Sequence, residues 1–206
     1  MRTGILGGTF NPPHLAHLVC AQEAHAQLGL DRVVLMPAGV PPHKQVPPGD
    51  PSAEQRYELC RLAVDGDERF EVSRAELERP GRSYTADTLR LLRERDPQDE
   101  LTFIVGGDMA RSLPGWREPE AVLALATLAV AERRGAKRDA IERELAPLRG
   151  ADRVTYFEMP RVDVSSSLVR ERVAAGRPIR YLVPDAVAEA IAAGGLYRGV
   201  PGEVTT

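Results

Sequence analysis

The stretch GILGGTFNPPHLAH, residues 4–17, indicates the fold class of the whole chain. It starts as a short apolar strand, continues through Gly7 and Gly8, turns at two prolines and reaches His14 and His17. Glycines at the end of a strand let the backbone approach a ligand closely. The helix that begins next directs its N-terminus at the same place, and a helix N-terminus attracts phosphate. The stretch therefore predicts a strand–loop–helix unit with an anion-binding site after its strand.

Strand-like and helix-like segments alternate along the rest of the chain. Apolar, β-branched runs predict strands at 3–7, 32–38, 101–107, 126–132 and 153–159. Amphipathic segments, several with polar starts and glycine stops, predict helices at 15–29, 53–66, 83–96, 165–176 and 184–195. This alternation predicts an α/β fold with a doubly wound, mostly parallel sheet of the Rossmann-like kind. We expect a single domain over residues 1–206, with a small C-terminal helical part at about residues 165–198.

The loops of unusual composition all follow predicted strands. They read GGTFNPPH, PAGVPPHK, GGDMARSLPGW and ERRG. Right-handed crossovers place such loops along one edge of a parallel sheet, where open α/β sheets bind ligands. The Pro/Gly-rich stretch 37–51 is either a plain surface loop or a loop over the ligand, and its place after a strand favours the second.

The composition argues against several classes of protein. Of the 206 residues, 43% are hydrophobic and 28% are charged, which is typical of a globular chain with a sizeable core. A net charge of -3 argues against a dedicated nucleic-acid or membrane-surface binder. No apolar run approaches the roughly 20 residues that span a bilayer, and the first residues lack a signal peptide, so we expect a cytoplasmic location. Cys20 and Cys60 form no C-x-x-C pair and are expected to be free, buried thiols.

His14 and His17 lie three residues apart and so face one side of the first helical turn. Three interpretations of this pair are possible: ordinary core or surface histidines, zinc ligands, or donors to phosphate oxygens. Zinc ligands would need further Cys or His partners or an H-E-x-x-H pattern, which the sequence lacks. The preceding glycine turn favours the phosphate interpretation, in which an imidazolium beside the helix N-terminus stabilises developing negative charge.

The residues GGTFNPPHLAH resemble the G-G-T-F-[DN]-P-x-H-x-[GA]-H signature of the nucleotidyltransferase superfamily of α/β phosphodiesterase type. Further motifs resemble those of bacterial nicotinate-nucleotide adenylyltransferases, in order along the chain, at 39–44, 82–89, 103–109, 113–116, 133–135, 164–173 and 194–198. Three positions depart from the usual pattern: Ala16 replaces a glycine, Asn11 stands where many members have aspartate, and Ser167 replaces a threonine. The resemblance implies a nucleotidyltransferase fold and adenylyl transfer from ATP to nicotinate mononucleotide.

The resemblance also implies roles for individual residues toward ATP. The residues implied as catalytic are His14, His17, Lys44 and Arg170, with His17 stabilising the α-phosphoryl transition state. Those implied to bind ATP are Gly7, Gly8, Thr9, Phe10, His14, His17, Arg133, Ser165, Ser166 and Arg170. Ser165 also has a plain interpretation as a helix N-cap, and both can hold because a helix start is itself an anion site. Mg²⁺ is implied as a cofactor held mainly by the ATP phosphates, with no metal ligands from the protein.

A second group of residues is implied to bind nicotinate mononucleotide: Lys44, Tyr84, Thr85, Asp108 and Trp116. Donors at a helix start, including the Thr85 hydroxyl, suit the pyridine carboxylate and favour an acid over an amide. Trp116 is either a core aromatic or a plate for the pyridine ring, and its position in a predicted loop favours the plate. Asp108 is either an acceptor for a ribose hydroxyl or part of an Asx turn.

The sequence leaves two alternative functions open: a related transferase with another substrate, and a protein that binds nucleotides without catalysis. Pantetheine-phosphate adenylyltransferases and cytidylyltransferases share the opening signature but do not suit the SYTADTL and LPGW pair, and an enzyme for nicotinamide mononucleotide is a closer alternative. The second is a non-catalytic nucleotide-binding module on the same fold, since fold does not imply function. We expect the chain to bind ATP and nicotinate mononucleotide, and to bind neither nucleic acid nor a membrane. The sequence does not determine whether the chain forms a homo-oligomer.

Overall fold

A six-stranded sheet organises the computed structural model, which describes residues 1–42, 49–133 and 138–198. Its strands are β1 (Arg2–Gly8), β2 (Arg32–Pro37), β3 (Phe70–Val72), β4 (Glu100–Gly106), β5 (Thr127–Arg133) and β6 (Val154–Met159). They lie in the order β3-β2-β1-β4-β5-β6, and every pair of neighbours is parallel. The predicted doubly wound α/β fold is confirmed.

Helices connect the strands and cover both faces of the sheet. They are α1 (Leu15–Leu28), α2 (Ala53–Val64), α3 (Ala75–Glu78), α4 (Thr85–Arg95), α5 (Gly107–Ser112), α6 (Pro119–Leu125), α7 (Arg138–Leu145), α8 (Ser166–Ala174) and α9 (Asp185–Ala193), with single 3-10 turns at Leu113–Gly115 and Ala151–Arg153. Adjacent residues of a strand point to opposite faces. Ile5 therefore belongs to the core formed with α4 to α7, while Leu6 belongs to the core formed with α1 and α2. Within the described part of the chain, no helix has the length and apolar character needed to cross a membrane.

The strand order reverses at the centre of the sheet. From β1 the chain proceeds outward through β2 to β3 and then returns to β4, on the other side of β1. In open α/β sheets, the crevice beyond the carboxyl ends of the strands at such a reversal is the usual place for a ligand. The topology therefore predicts a ligand site beside the segments that follow β1 and β4.

The C-terminal helical segment packs against α2 and reaches the loop after β1. Leu59 of α2 shares a buried cluster with Val169 of α8 and Ile191 of α9. Tyr197, which follows α9, is buried and donates its hydroxyl to the side-chain oxygen of Asn11 at 2.7 Å. This segment therefore helps to enclose the loop that the opening motif encodes.

All five predicted strands and all five predicted helices are present, and no end differs from its prediction by more than two residues. The sequence did not predict β3, which spans only three partly exposed residues and is too short to show periodicity. The stretch GGDMARSLPGW was predicted as a loop, and that prediction is wrong because it forms α5 and the 3-10 turn at Leu113–Gly115. Its glycines lie at the ends of these short elements and Pro114 lies in the first turn of the second, where none of them interrupts a helix.

Candidate active site

A cavity of about 720 Å³ opens at the carboxyl ends of β1 and β4. The predicted site residues that line it are Gly7, Gly8, Thr9, Phe10, His14, His17, Tyr84, Thr85, Asp108, Trp116 and Ser166. Ser165 and Arg170 are not among the lining residues, and Lys44 lies outside the described residues. Arg133 is described only as the last residue of β5. The structure therefore brings most of both predicted groups of residues into one cavity.

The two glycines at the end of β1 make room for aromatic rings. A Cβ built on Gly7 would lie 3.2 Å from the Phe103 ring, and one on Gly8 would lie 3.2 Å from the Phe10 ring. Phe10 has a φ of 48°, which is uncommon for a residue with a bulky side chain, and it is almost fully buried. The sequence predicted these glycines for the close approach of a ligand. The packing of two rings gives a second reason for the absence of side chains there.

The first turn of α1 brings two imidazole rings together. His14 occupies the N-cap position, and its backbone N–H donates to Nδ1 of His17 at 3.2 Å. The two rings stack with centroids 3.7 Å apart, and Phe10 meets His17 in a T-shaped contact at 4.9 Å. Because Nδ1 of His17 accepts a hydrogen bond, the proton of the neutral ring lies on Nε2. His17 therefore has a donor at the far end of a ring that lines the cavity.

Burial keeps the ring of His14 neutral. The residue is almost fully buried, and burial lowers its pKa from 6.5 to about 4. Among the described residues, Nδ1 of this ring has no hydrogen-bond partner. The sequence predicted an imidazolium beside phosphate, whereas in the fold without ligand desolvation disfavours the charged form of His14. A phosphate bound beside the ring would raise this pKa again, so an imidazolium in the complex stays a prediction.

This buried histidine predicts a specific dependence of stability on pH. The pKa of His14 is 6.5 in an unpacked chain and about 4 in the fold, so the folded protein binds fewer protons. Its contribution to stability is complete above pH 6.5 and is lost as the pH falls toward 4. Replacing His14 by asparagine, which does not titrate, should reduce the loss of unfolding free energy between pH 7 and 4.5 by about 2–3 kcal/mol. Urea unfolding at both pH values measures it, and an equal loss in the two proteins would contradict a neutral His14.

Arg56 of α2 joins the loop after β1 to the loop after β2, and the sequence predictions missed it. The residue is 1% exposed. Its Nη1 donates to the Thr9 carbonyl at 2.6 Å, and its Nη2 donates to the carbonyls of Ala38 at 2.6 Å and Gly39 at 3.2 Å. Burial lowers its pKa, and no carboxylate of the described chain bonds to it. A signal was present, because Arg56 lies four residues before the buried Cys60 on the stripe of α2 that faces the core.

Glu76 forms a second buried polar group beside the loop after β2. Thr88 donates its hydroxyl to Glu76 Oε1 at 2.5 Å, and Ser83 Oγ accepts the N–H of Gly39 at 3.0 Å. Ser83 also hydrogen-bonds to Glu76, and burial raises the pKa of this carboxyl group. A Cβ on Gly39 would collide with the backbone carbonyl oxygen of Glu76, so a side chain does not fit there. The backbone of Gly39 is therefore fixed from one side by Arg56 and from the other by Ser83.

Tyr84, Thr85 and Trp116 line another part of the cavity. Tyr84 occupies the N-cap position of α4, and Thr85 is its first residue. Trp116 donates its ring N–H to Ser112 Oγ at 2.9 Å and meets Phe103 in a T-shaped contact at 6.1 Å. Trp116 is half-buried, so it packs against the core while it also lines the cavity. The two interpretations of Trp116, core aromatic and ligand plate, are therefore compatible.

Asp108 lies in the first turn of α5, is exposed and lines the cavity. The Asx-turn interpretation is wrong because this residue lies within a helix. A role toward a ribose hydroxyl stays a prediction. Arg111, one turn later, also lines the cavity, but it is bound to Glu144 by three contacts of 2.9 to 3.2 Å.

The start of α8 is joined to the loop after β1. Ser165 is the N-cap, and its Oγ accepts the N–H of Leu168 at 3.1 Å, so the plain N-cap interpretation is confirmed. Ser166 donates its hydroxyl to the Pro12 carbonyl at 2.8 Å. One of the two adjacent serines therefore caps the helix, while the other lines the cavity and holds the loop.

Arg170 holds the same loop through its backbone. Its Nη1 donates to the Asn11 carbonyl at 2.8 Å, and its Nη2 donates to Ser167 Oγ at 3.2 Å. The Asn11 side chain donates its Nδ2–H to Asp50 at 2.6 Å. An aspartate at position 11 would bring a second carboxylate to Asp50, so the amide suits this environment better. Ser167 stands where threonine is more common, and its hydroxyl still accepts a hydrogen bond from Arg170.

The chain is similar to known proteins over most of its length. Residues 5–172 match the cytidylyltransferase-like family. A relative from Thermus thermophilus, named "probable nicotinate-nucleotide adenylyltransferase", is 48% identical over 198 residues, or 96% of this chain and 100% of the relative. A protein of the same name from Thermomicrobium roseum is 43% identical over 206 residues, or 100% of this chain and 95% of the relative.

The fold is similar to that of solved structures. A structure described as "Plasmodium falciparum nicotinic acid mononucleotide adenylyltransferase complexed with NaAD" superimposes with a TM-score of 0.77 and covers 96% of this chain and 97% of its own. The sequences are 16% identical, so this likeness concerns the fold. It agrees with the six-stranded parallel sheet described above.

Proposed function

The chain belongs to the nicotinate-nucleotide adenylyltransferases within the cytidylyltransferase-like family, and we infer that it transfers the adenylyl group of ATP to nicotinate mononucleotide. The products are nicotinate adenine dinucleotide and pyrophosphate, and the reaction is a step of NAD biosynthesis. The observation that carries this inference is identity of 40% or more over nearly the whole chain. The cavity supports it, because it combines the histidine loop after β1 with Tyr84, Thr85 and Trp116.

The reaction needs positioning and charge stabilisation more than proton transfer. An oxygen of the mononucleotide 5′-phosphate attacks the α-phosphorus of ATP and forms a new P–O bond. The bond from the α-phosphorus to the bridging oxygen breaks, and its electron pair leaves on pyrophosphate. The attacking phosphate is already ionised near pH 7, so no protein base has to activate it. Catalysis then comes from holding two anions in line and stabilising charge at the reacting phosphorus.

His17 is the side chain of the described chain best suited to stabilise that charge. Its Nε2–H is set by the hydrogen bond at Nδ1, and its ring is held between Phe10 and His14. A donor that is fixed before the reaction costs no reorganisation when negative charge develops. We assign His17 as the donor to an oxygen of the α-phosphate, and we propose that His14, whose ring packs against that of His17, also contacts the ATP phosphates.

The remaining cations are assigned by the family resemblance. Lys44, Arg133 and Arg170 are proposed to approach the phosphates, of which Arg170 is held in the structure by the Asn11 carbonyl and Ser167. For Arg170 to bind a phosphate, it would have to share or exchange these partners. The cytoplasmic location and a homo-oligomer stay predictions.

A divalent cation fits this reaction through the nucleotide. Among residues 1–42, 49–133 and 138–198, no group of three His, Cys, Asp or Glu side chains lies close enough to hold a metal ion. We therefore propose that Mg²⁺ is held mainly by the ATP phosphates. Such an ion, when bound, neutralises phosphate charge.

A paired assay tests the proposed function. Release of pyrophosphate is followed with ATP and Mg²⁺ and with either nicotinate mononucleotide or nicotinamide mononucleotide. We expect the acid to give the higher kcat/KM. A higher value for the amide would change the substrate assignment, and no release with either would favour a non-catalytic nucleotide-binding module.

Trp116 should affect the two substrates unequally. Replacing it by alanine removes an aromatic surface from the part of the cavity that contains Tyr84 and Thr85. We expect KM for the mononucleotide to rise by about tenfold, the order of the loss of one stacking contact, with a much smaller rise in KM for ATP. Tyr181→Ala is a suitable control because this tyrosine is 75% exposed and does not line the cavity. Equal effects on both substrates would indicate that Trp116 acts only through the core.

A further inference from the structure

Arg117 lines the cavity together with Tyr84, Thr85 and Trp116. Arg117 follows Trp116 directly and is itself a lining residue. Its guanidinium lies over the Tyr84 ring, 4.7 Å from the ring centroid. Tyr84 is the N-cap residue of α4, so the cation lies beside a helix start, which also attracts negative charge. A positive side chain and a helix N-terminus therefore adjoin the same space.

Arg117 can exchange its present partners for a ligand. Its contacts to carboxylates are long, 3.5 Å to Asp87 and 3.6 Å to Glu118, and its side chain is 52% exposed. Exposed ion pairs of this kind contribute little to stability. Arg111, the other arginine among the described lining residues, is bound to Glu144 at 2.9 Å and 3.2 Å. Of these two cations, Arg117 is the one with the weaker bonds to the protein.

The charges around the cavity favour a cation beside an acidic ligand, in addition to the donors at the start of α4. The described acidic residues that line it are Glu76, Asp108 and Glu132. A carboxylate that enters a space with acidic neighbours is disfavoured unless a cation compensates. An amide in the same place has no net charge and does not need one. A cation in this part of the cavity therefore distinguishes an acid from its amide.

We propose that Arg117 is a specificity-determining residue that pairs with the pyridine carboxylate of nicotinate mononucleotide and thereby favours the acid over the amide. This proposal rests on the proposed function, since it concerns the second substrate of that reaction. The planar guanidinium can bind a carboxylate through two parallel N–H donors. Tyr84 holds the guanidinium near the helix start before the substrate arrives.

The test compares Arg117→Met and Arg117→Lys with the unmodified enzyme. The value of kcat/KM is measured for the acid and amide mononucleotides at saturating ATP and Mg²⁺. We expect Arg117→Met to lower the acid value about tenfold, as for loss of one charge-assisted hydrogen bond, and to change the amide value less than about twofold. Arg117→Lys, which keeps the charge, should restore most of the ratio of acid to amide. Raising the ionic strength should lower this ratio in the unmodified enzyme and leave it nearly constant in Arg117→Met.

Arg90 supplies a matched control. It also contacts Asp87, at 3.2 Å, and Glu118, but it does not line the cavity. Arg90→Met therefore releases the same two carboxylates without removing the proposed ligand, and the ratio of acid to amide should not change. An equal fall for both mononucleotides in Arg117→Met, or an unchanged ratio, would overturn the proposal while leaving the proposed function intact. A preference of the unmodified enzyme for the amide would instead contradict the proposed function.

Discussion

Replacing His17 by alanine is expected to lower kcat at least about 100-fold, with a smaller change in KM for either substrate. The ring of His17 lies in the cavity with its Nε2–H fixed by the hydrogen bond from the His14 backbone to Nδ1. A fixed donor of this kind is most valuable when charge develops on the phosphoryl oxygens, so its loss falls mainly on kcat. Steady-state pyrophosphate release measures the effect. His25→Ala is the matched control, since this histidine lies in the last turn of the same helix, away from the cavity.

Two further variants separate the roles of the two ring nitrogens. His17→Asn can accept the His14 N–H as Nδ1 does but lacks a donor at the position of Nε2. His17→Gln can donate from a similar position but loses the cap acceptor. We expect the glutamine variant to retain more activity than the asparagine variant. An unchanged kcat in His17→Ala would refute the catalytic role, and the reverse order of the other two would assign His17 to positioning of the loop.

Replacing Arg56 by methionine is expected to lower the free energy of unfolding by about 2–4 kcal/mol and to reduce kcat/KM for both substrates. Methionine fills much of the space but leaves the carbonyls of Thr9, Ala38 and Gly39 without their donor. A buried acceptor without a partner costs about 1–3 kcal/mol, and removal of a buried charge offsets part of the sum. Activity should fall because the backbone segments after β1 and β2 lose their common support.

Arg61 provides the comparison for Arg56. It lies on the same helix, is exposed and pairs only with Glu58, at 3.2 Å, among the described residues. Urea unfolding should show a change within about 0.5 kcal/mol for Arg61→Met. The free energy of unfolding of Arg56→Lys should lie between those of the unmodified protein and Arg56→Met. A single ammonium group cannot bond to both loops as the planar fork of arginine does. If Arg56→Met were as stable as Arg61→Met, the three carbonyls would have found other partners and the assigned role would be wrong.

The sequence predicted the features that depend on local order along the chain. The β1–α1 unit and the alternation of strands with helices follow from periodicity and from motifs a few residues long, whereas the role of Tyr84, Thr85 and Trp116 was implied by the family resemblance. Each of these features is determined by neighbouring residues, so one sequence contains enough information to predict it.

The features that escaped prediction depend on contacts between distant segments. Arg56 bonds to Thr9, 47 residues away, and Arg170 bonds to Asn11, 159 residues away. The neutral state of His14 depends on burial by the assembled fold, and no property of positions 14 to 17 alone reveals it. Short elements such as β3 are stabilised by their neighbours in the sheet and carry little pattern of their own.

The contacts of the C-terminal segment have a consequence for synthesis of the chain. Ser166, Arg170 and Tyr197 bond to the loop after β1 at Pro12 and Asn11, so these partners are translated 154 to 186 residues after the loop. A nascent chain that already carries all six strands therefore still lacks these partners. Domains generally fold from the N-terminus as they emerge from the ribosome, but this loop can make its full set of contacts only after residue 197 has been added. The part of the cavity that the loop forms therefore gains its last described partner only after residue 197 has been translated.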